Sequence, residues 1–158
     1  DGSGDRHSLQ RAVSEANPVR VVVDTPVWSL AYRRVERQLS GGESEAVAAL
    51  RELLAEGRCV LMGLVRQEVL QGIRRKEQFD LVQRDLDELP DEAPWVTDYV
   101  RAAQMYNKCL ARGVQATTVD LLLCATADRL KAAIFTLDRD FLGYGRILGL
   151  KLFRPTLH

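Results

Sequence analysis

The hydrophobic pattern alternates between two periods along the chain, and this alternation carries the first prediction. Val21, Val22 and Val23 form a continuous β-branched apolar run, the signature of a strand covered on both faces of a parallel sheet. The run stops at Asp24, and Thr25-Pro26 follows. Thr25 is expected to cap the next helix with its hydroxyl and Pro26 to occupy the first helical position, where a missing N–H costs nothing. That helix is expected to run to about Arg34. Gly41-Gly42 reads as a break before a helix over 43–56, where Val47, Leu50, Leu53 and Leu54 recur at the helical period and Gly57 supplies the stop. Residues 59–62 read as a second strand, Gly63 as a turn, 64–73 and the charged amphipathic 76–89 as helices. Pro90 and Pro94 bracket a loop with a short strand expected near Trp95. A helix over 97–112 ends at Gly113.

The densest apolar stretch follows, a helix over 117–130 capped by Thr117 or Thr118, whose body Leu121–Ala127 is apolar nearly all round. Residues 132–135 form a strand that delivers Thr136-Leu137-Asp138-Arg139-Asp140 at its C-terminal end, and 149–153 reads as a last short strand. Alternating strands and helices predict an α/β fold, a three-layer sandwich around a central, mainly parallel sheet of about four to five strands. Residues 1–18, Gly- and Ser-rich at first, read as an N-terminal extension or linker with one short helix over 8–16, and 19–155 as a single domain.

Composition narrows the chemistry. Lys+Arg and Asp+Glu are equal at 22 each, so no global basicity advertises nucleic acid and no acidic tail is present. Apolar runs fall far short of the ~20 residues of a membrane span, and no secretory signal pattern is visible, which predicts a cytoplasmic protein with no membrane partner. Cys59 and Cys124 read as small buried hydrophobes. The two histidines, His7 and His158, lie at the ends of the chain, which argues against a histidine metal site or a Ser-His-Asp triad. The chemistry falls to carboxylates.

Asp24 and Asp138 both follow apolar strands, so both are expected at one edge of the sheet, where ligands bind in open α/β folds. Glu68 lies about one turn into the helix after the second strand, and Asp120 in the first turn of the most buried helix. Right-handed crossovers bring helix N-termini to that same edge. Each acid has an ordinary alternative: Asp24 as a strand-end or turn residue, Asp120 as a dipole-favoured helix-start residue, Glu68 as a solvated charge, Asp138 and Asp140 as a turn pair. If they converge, their mutual repulsion calls for a cation. Mg²⁺ or Mn²⁺ is the economical choice, since a hard ion takes a few carboxylates and activates a bound water against a phosphodiester.

Asp24-Thr25-Pro26-Val27-Trp28 resembles the opening of PIN-domain ribonucleases, and Glu68-Val69-Leu70-Gln71-Gly72 resembles a segment of VapC-type toxins. Tyr106-Asn107-x-Cys109-x-x-Arg112-Gly113, Thr118-Val119-Asp120 and Thr136-x-Asp138-Arg139-Asp140-Phe141 are similar to the remaining motifs in order and spacing. The resemblance implies a PIN-like domain and a Mg²⁺-dependent endoribonuclease toxin of a type II toxin–antitoxin pair. It implies Asp24, Glu68, Asp120 and Asp138 as catalytic metal-binding acids, Asp140 as a fifth ligand, and Thr25 and Thr136 as supporting hydroxyls. It also implies an RNA substrate, a VapB-type antitoxin blocking the cleft and a homodimer. Pro26 departs from the small polar residue usual there.

Two other readings stand beside it. One is a catalytically weak PIN-like module that acts by binding a partner, against which the complete set of acids argues. The other is a structure-specific DNA nuclease, discouraged by the lack of an insertion long enough to arch over a junction. Arg33, Arg34, Arg37, Arg74, Arg75, Lys76 and Lys108 are candidate phosphate contacts. Trp28, Trp95, Tyr99 and Tyr106 read as packing residues, and Met62 and Met105 as core.

Overall fold

The computed structural model describes residues 18–32 and 39–155. The helix expected over 8–16, the end of the first helix near Arg34, and Arg33, Arg34 and Arg37 lie outside the described residues. The element order is β1 (Val21–Val23), α1 (Thr25–Tyr32), α2 (Gly41–Ala55), β2 (Cys59–Met62), α3 (Gly63–Gln71), α4 (Lys76–Asp87), β3 (Asp91–Glu92), α5 (Val96–Ala111), α6 (Thr118–Leu130), β4 (Ala133–Phe135) and α7 (Asp140–Leu148). The four strands form one sheet in the order β3-β2-β1-β4, and every pairing is parallel. The α/β prediction holds, at the lower end of the expected strand number.

β1 is central and completely buried, as its unbroken β-branched sequence requires, because only a strand covered on both faces can be apolar at every position. The core gathers around it. Trp28, Leu50, Leu53, Leu61, Met62, Leu86, Met105, Leu121, Ile134, Phe135, Phe141 and Tyr144 are all fully buried. Cys109 and Cys124 are buried free thiols, while Cys59 is half-buried.

Several local expectations are corrected. α1 begins at Thr25, one residue earlier than expected, with the Thr25 N–H donating to Asp24 Oδ1 at 2.8 Å. Gly41-Gly42 does not break the chain but opens α2. Ser40 accepts from the Glu43 N–H at 3.2 Å, and Glu43 returns the bond to the Ser40 N–H at 2.9 Å, a reciprocal cap strong enough to carry two glycines. The short third strand lies at Asp91–Glu92 rather than near Trp95. Arg66 holds Asp91 at 2.8 Å and Arg129 reaches Glu92 at 3.4 Å, so ion pairs fix a segment that lacks strand propensity. The expected last strand over 149–153 is reduced to one parallel bridge, Leu152 to Ile134. The unpredicted α7 precedes it, burying Phe141 and Tyr144 despite glycines at 143 and 145. Among the aromatics, Trp28 packs as expected, whereas Trp95, Tyr99 and Tyr106 are exposed.

Candidate active site

Register builds the site. Val23 pairs with Phe135, so the next residues, Asp24 and Thr136, leave β1 and β4 side by side, and the Asp24 N–H donates to the Phe135 carbonyl at 2.8 Å. The Thr136 hydroxyl donates to Asp24 Oδ2 at 2.7 Å and accepts from the Asp138 N–H at 3.0 Å. The Asp140 N–H then donates to Asp138 Oδ1 at 2.9 Å. On the other side of Asp24 the Thr25 hydroxyl donates to Glu68 Oε2 at 3.0 Å, placing a side chain from the second turn of α3 beside the end of β1. Thr25 therefore bridges two acids instead of capping α1. Asp120 is set in the first turn of α6 by Thr117, whose hydroxyl accepts from its N–H at 3.1 Å, and the Tyr144 hydroxyl donates to Asp120 Oδ2 at 3.2 Å.

Asp24, Glu68, Asp120 and Asp138 line one cleft of about 430 Å³ together with Thr25, Ser29 and Glu43. Five carboxylates thus face this cleft, and no lysine or arginine is among its described lining residues. The four predicted acids are brought together. Asp140 lies behind them, tied to Asp138 through its backbone and outside the lining. Glu43 and Tyr144 were not anticipated. The capping-box spacing from Ser40 to Glu43 is visible in sequence but does not reveal that the carboxylate faces the acids, and Tyr144 carries no local signal at all.

The electrostatics match that composition. Burial of Asp24, only 8% exposed, raises its carboxyl above the usual range; the bonds from Thr136 and Thr25 oppose the rise, and Asp120 and Glu68 add to it. Asp120 is raised for the same first reason, burial, against its bonds to Thr117 and Tyr144, with Asp138 and Asp140 adding repulsion. Burial beside Asp120 also drives the Tyr144 phenol far up, so it stays a donor. These acids are held close at a cost that a cation would relieve.

The donor set fits a hard divalent ion, being oxygen throughout. Among the described residues no three His, Cys, Asp or Glu side chains stand together as a ready-made cage. An ion such as Mg²⁺ does not require one, since it binds through one or two carboxylates and keeps several waters. Of the basic candidates, Arg74 and Arg75 line a cavity that adjoins the cleft at Ser29. Lys76 is paired with Asp80 at 2.6 Å, and Lys108 is exposed on α5.

Comparison with curated proteins finds no match. Among solved structures the chain is similar to FitAcB from Neisseria gonorrhoeae, with 18% identity over 85% of this chain and 97% of that one and a TM-score of 0.67. It is also similar to VapBC2 from Rickettsia felis bound to a DNA fragment from their promoter (19% identity, 84% and 96% covered, TM-score 0.65). DNA-bound VapBC from Salmonella typhimurium aligns at 13% identity, with 85% and 97% covered and a TM-score of 0.64. At such identities the likeness is one of fold. The family model for the PIN domain matches residues 21–147, a span that takes in all four strands and every acid of the cleft. The chain belongs to the PIN domain family.

Proposed function

We propose that the chain is a Mg²⁺- or Mn²⁺-dependent endoribonuclease and the toxin of a type II toxin–antitoxin pair. The observation that carries the reading is the cleft itself, with five carboxylates from five separate stretches of chain and no cation among its described lining. A retired site has no reason to keep buried acids that repel one another. Membership of a family whose domains are generally nucleases supports it, as do similar solved structures that are VapBC and FitAB complexes.

Asp24, Glu68, Asp120 and Asp138 would hold the ion, with Asp140 behind Asp138. When bound, such an ion polarises a phosphodiester oxygen and lowers the pKa of its water. The chain's own contribution is positional. Thr136 holds Asp24 Oδ2 and Thr25 turns Glu68 toward the same point, so the acids keep one geometry without reorganising. Tyr144 donates to Asp120 and holds one of its oxygens away from free rotation. The ring of acids repels all phosphates but one neutralised by the ion.

Partner and assembly follow the same reading. A VapB-type antitoxin with a basic side chain would satisfy the cleft's unpaired charge. The exposed apolar residues of α5, Val96, Tyr99, Val100, Tyr106 and Leu110, suit contact with a second copy of the chain. No described helix is long and apolar enough to cross a membrane, and an RNA substrate would suit a cytoplasmic protein. Residues 19–155 would form the nuclease domain. The test is incubation of structured cellular RNAs with Mg²⁺, Mn²⁺ or EDTA, comparing wild type with Asp120→Asn. Metal-dependent cuts lost in the variant are expected. Absence of cutting by a folded wild type would overturn the proposal in favour of a binding module.

A further inference from the structure

The acidic cleft continues into two other cavities. Leu137 and Asp138 line both the cleft and a cavity of about 310 Å³ between the start of α2, the end of β4, the start of α7 and residues 152–155. Its walls are Leu142, Leu152 and Phe153. The Phe153 ring is held in place by Phe135, with centroids 5.0 Å apart. Its charged residues are Arg139 and Arg154 with Glu45 and the shared Asp138. Through Ser29 the cleft also joins a cavity of about 240 Å³ with Arg74 and Arg75. Among the described residues none of these four arginines is in a salt bridge.

Guanidinium groups thus adjoin the carboxylates through both junctions; Val69 and Ile73 also line the Arg74 and Arg75 cavity, but the cavity with Arg139 and Arg154 is the more apolar of the two. A folded peptide has no need of positive charge at both junctions of an acidic centre. A phosphate strand does: neighbours of the phosphate at the acids are repelled there and attracted a nucleotide away. Single-stranded RNA offers unstacked bases that seek apolar and aromatic walls and hydrogen-bond along their edges. A volume of about 310 Å³ lies at the small end of the roughly 300–1,000 Å³ range of ligand cavities. A carboxylate such as Glu45 is suited to accept from an exocyclic amino group.

Building on the nuclease reading, we propose that the cavity walled by Leu142, Leu152 and Phe153 is a base-binding subsite. It takes the nucleotide beside the cut in a single-stranded RNA that runs from Arg74 and Arg75 across the acids, while Arg139 and Arg154 hold that nucleotide's phosphates. The site thus selects unpaired RNA and reads one base next to the cleavage point.

The test uses the full chain in EDTA and fluorescent single-stranded RNAs: oligo-A, oligo-C, oligo-U and an abasic ribose-phosphate oligomer of equal length. Wild type is expected to bind the best base-bearing oligomer roughly tenfold more tightly than the abasic one, the effect of one stacked base. Gly42→Leu fills the cavity: Gly42 lines it, and a Cβ there meets nothing within 4 Å. Leu142→Asn removes an apolar wall at an exposed position. Both are expected to erase that margin and leave the abasic affinity unchanged. Arg154→Ala, also exposed, is expected to weaken every oligomer alike and to lower the salt slope by about one. Equal affinity for base-bearing and abasic RNA in wild type, or a margin that survives both cavity variants, would overturn the subsite. Loss of antitoxin binding in Gly42→Leu with RNA margins intact would also overturn it, giving the cavity to a protein partner. Cleavage of the same oligomers with Mg²⁺ is scored separately. A margin without cutting supports the subsite and removes the nuclease reading, whereas cutting without a margin removes the subsite alone.

Discussion

Thr136→Val is the sharpest perturbation of this site, because it changes one hydroxyl for one methyl at constant volume. The hydroxyl donates to Asp24 Oδ2 at 2.7 Å and accepts from the Asp138 N–H at 3.0 Å. Asp138 is exposed, so water replaces the second bond at little cost. Asp24 is only 8% exposed, and its Oδ2 loses a donor that solvent cannot fully restore. A hydrogen bond to a charged group contributes about 1.5–3 kcal/mol, which for a chain of this size corresponds to a fall in Tm of roughly 3–12 °C. The pH dependence follows from the same group. Burial raises the Asp24 carboxyl in the folded protein, so the fold binds that proton more tightly than the unfolded chain does. The stability this contributes is present at low pH and lost as pH rises through the folded-state value. Thr136 opposes the rise, and its removal deepens the loss, so the valine penalty is greatest at neutral pH and shrinks in acid. Denaturant unfolding of wild type, Thr136→Val, Asp24→Asn and the double variant measures the coupling directly. Thr136→Ser, which keeps the hydroxyl, is expected to restore the acid behaviour. A valine penalty independent of pH, or undiminished when Asp24 is already Asn, would refute the reasoning.

Three further outcomes are expected. Titration with Mg²⁺ to about a hundred times its Kd should stabilise the wild type by about 2.7 kcal/mol, a rise in Tm of roughly 5–11 °C. Asp24→Asn should melt above wild type without metal at neutral pH and gain little from Mg²⁺, and thermal unfolding with and without EDTA distinguishes the two. Far from the cleft, Arg129 lies 2.9 Å from the carboxylate of Asp98, which is 2% exposed, and stacks 4.0 Å over the Trp95 ring. Arg129→Ala leaves a buried charge unpaired and should cost about 3–5 kcal/mol, read by denaturant unfolding, with cleavage per folded molecule unchanged.

What was legible in the sequence is what local chemistry decides. Val21–Val23 and Cys59–Met62 are strands because continuous apolar runs between helix starts have one economical placement. Gly57 and Gly113 end helices because the chain there adopts φ of 66° and 76°. The positions of Asp24, Glu68, Asp120 and Asp138 follow from strand ends and helix starts. What was missed is decided at long range. α7 carries Gly143 and Gly145 and would be a poor helix alone, yet burial of Phe141 and Tyr144 in the core holds it. The Asp91–Glu92 strand exists because Arg66 and Arg129 arrive from elsewhere. Thr25 looked like a cap because its neighbour is proline, and only the approach of α3 turns its hydroxyl to Glu68.

The two threonines explain how the fold tolerates its own site. Carboxylates at strand ends would normally turn outward to water, where their repulsion is screened. Here Asp24 is buried against the register of β1 and β4 and has no such escape. A lysine beside it would remove the repulsion but would also fill the position a divalent ion needs. A hydroxyl satisfies a carboxylate lone pair without adding charge, so Thr136 and Thr25 hold Asp24 and Glu68 in place while leaving the cleft's net negative charge intact. The residual strain is the raised Asp24 and Asp120 carboxyls, which a proton relieves in acid and a bound cation would relieve at neutral pH. On the proposed nuclease reading, stability and function are coupled through one variable: a cation that neutralises the cleft would also tighten the fold.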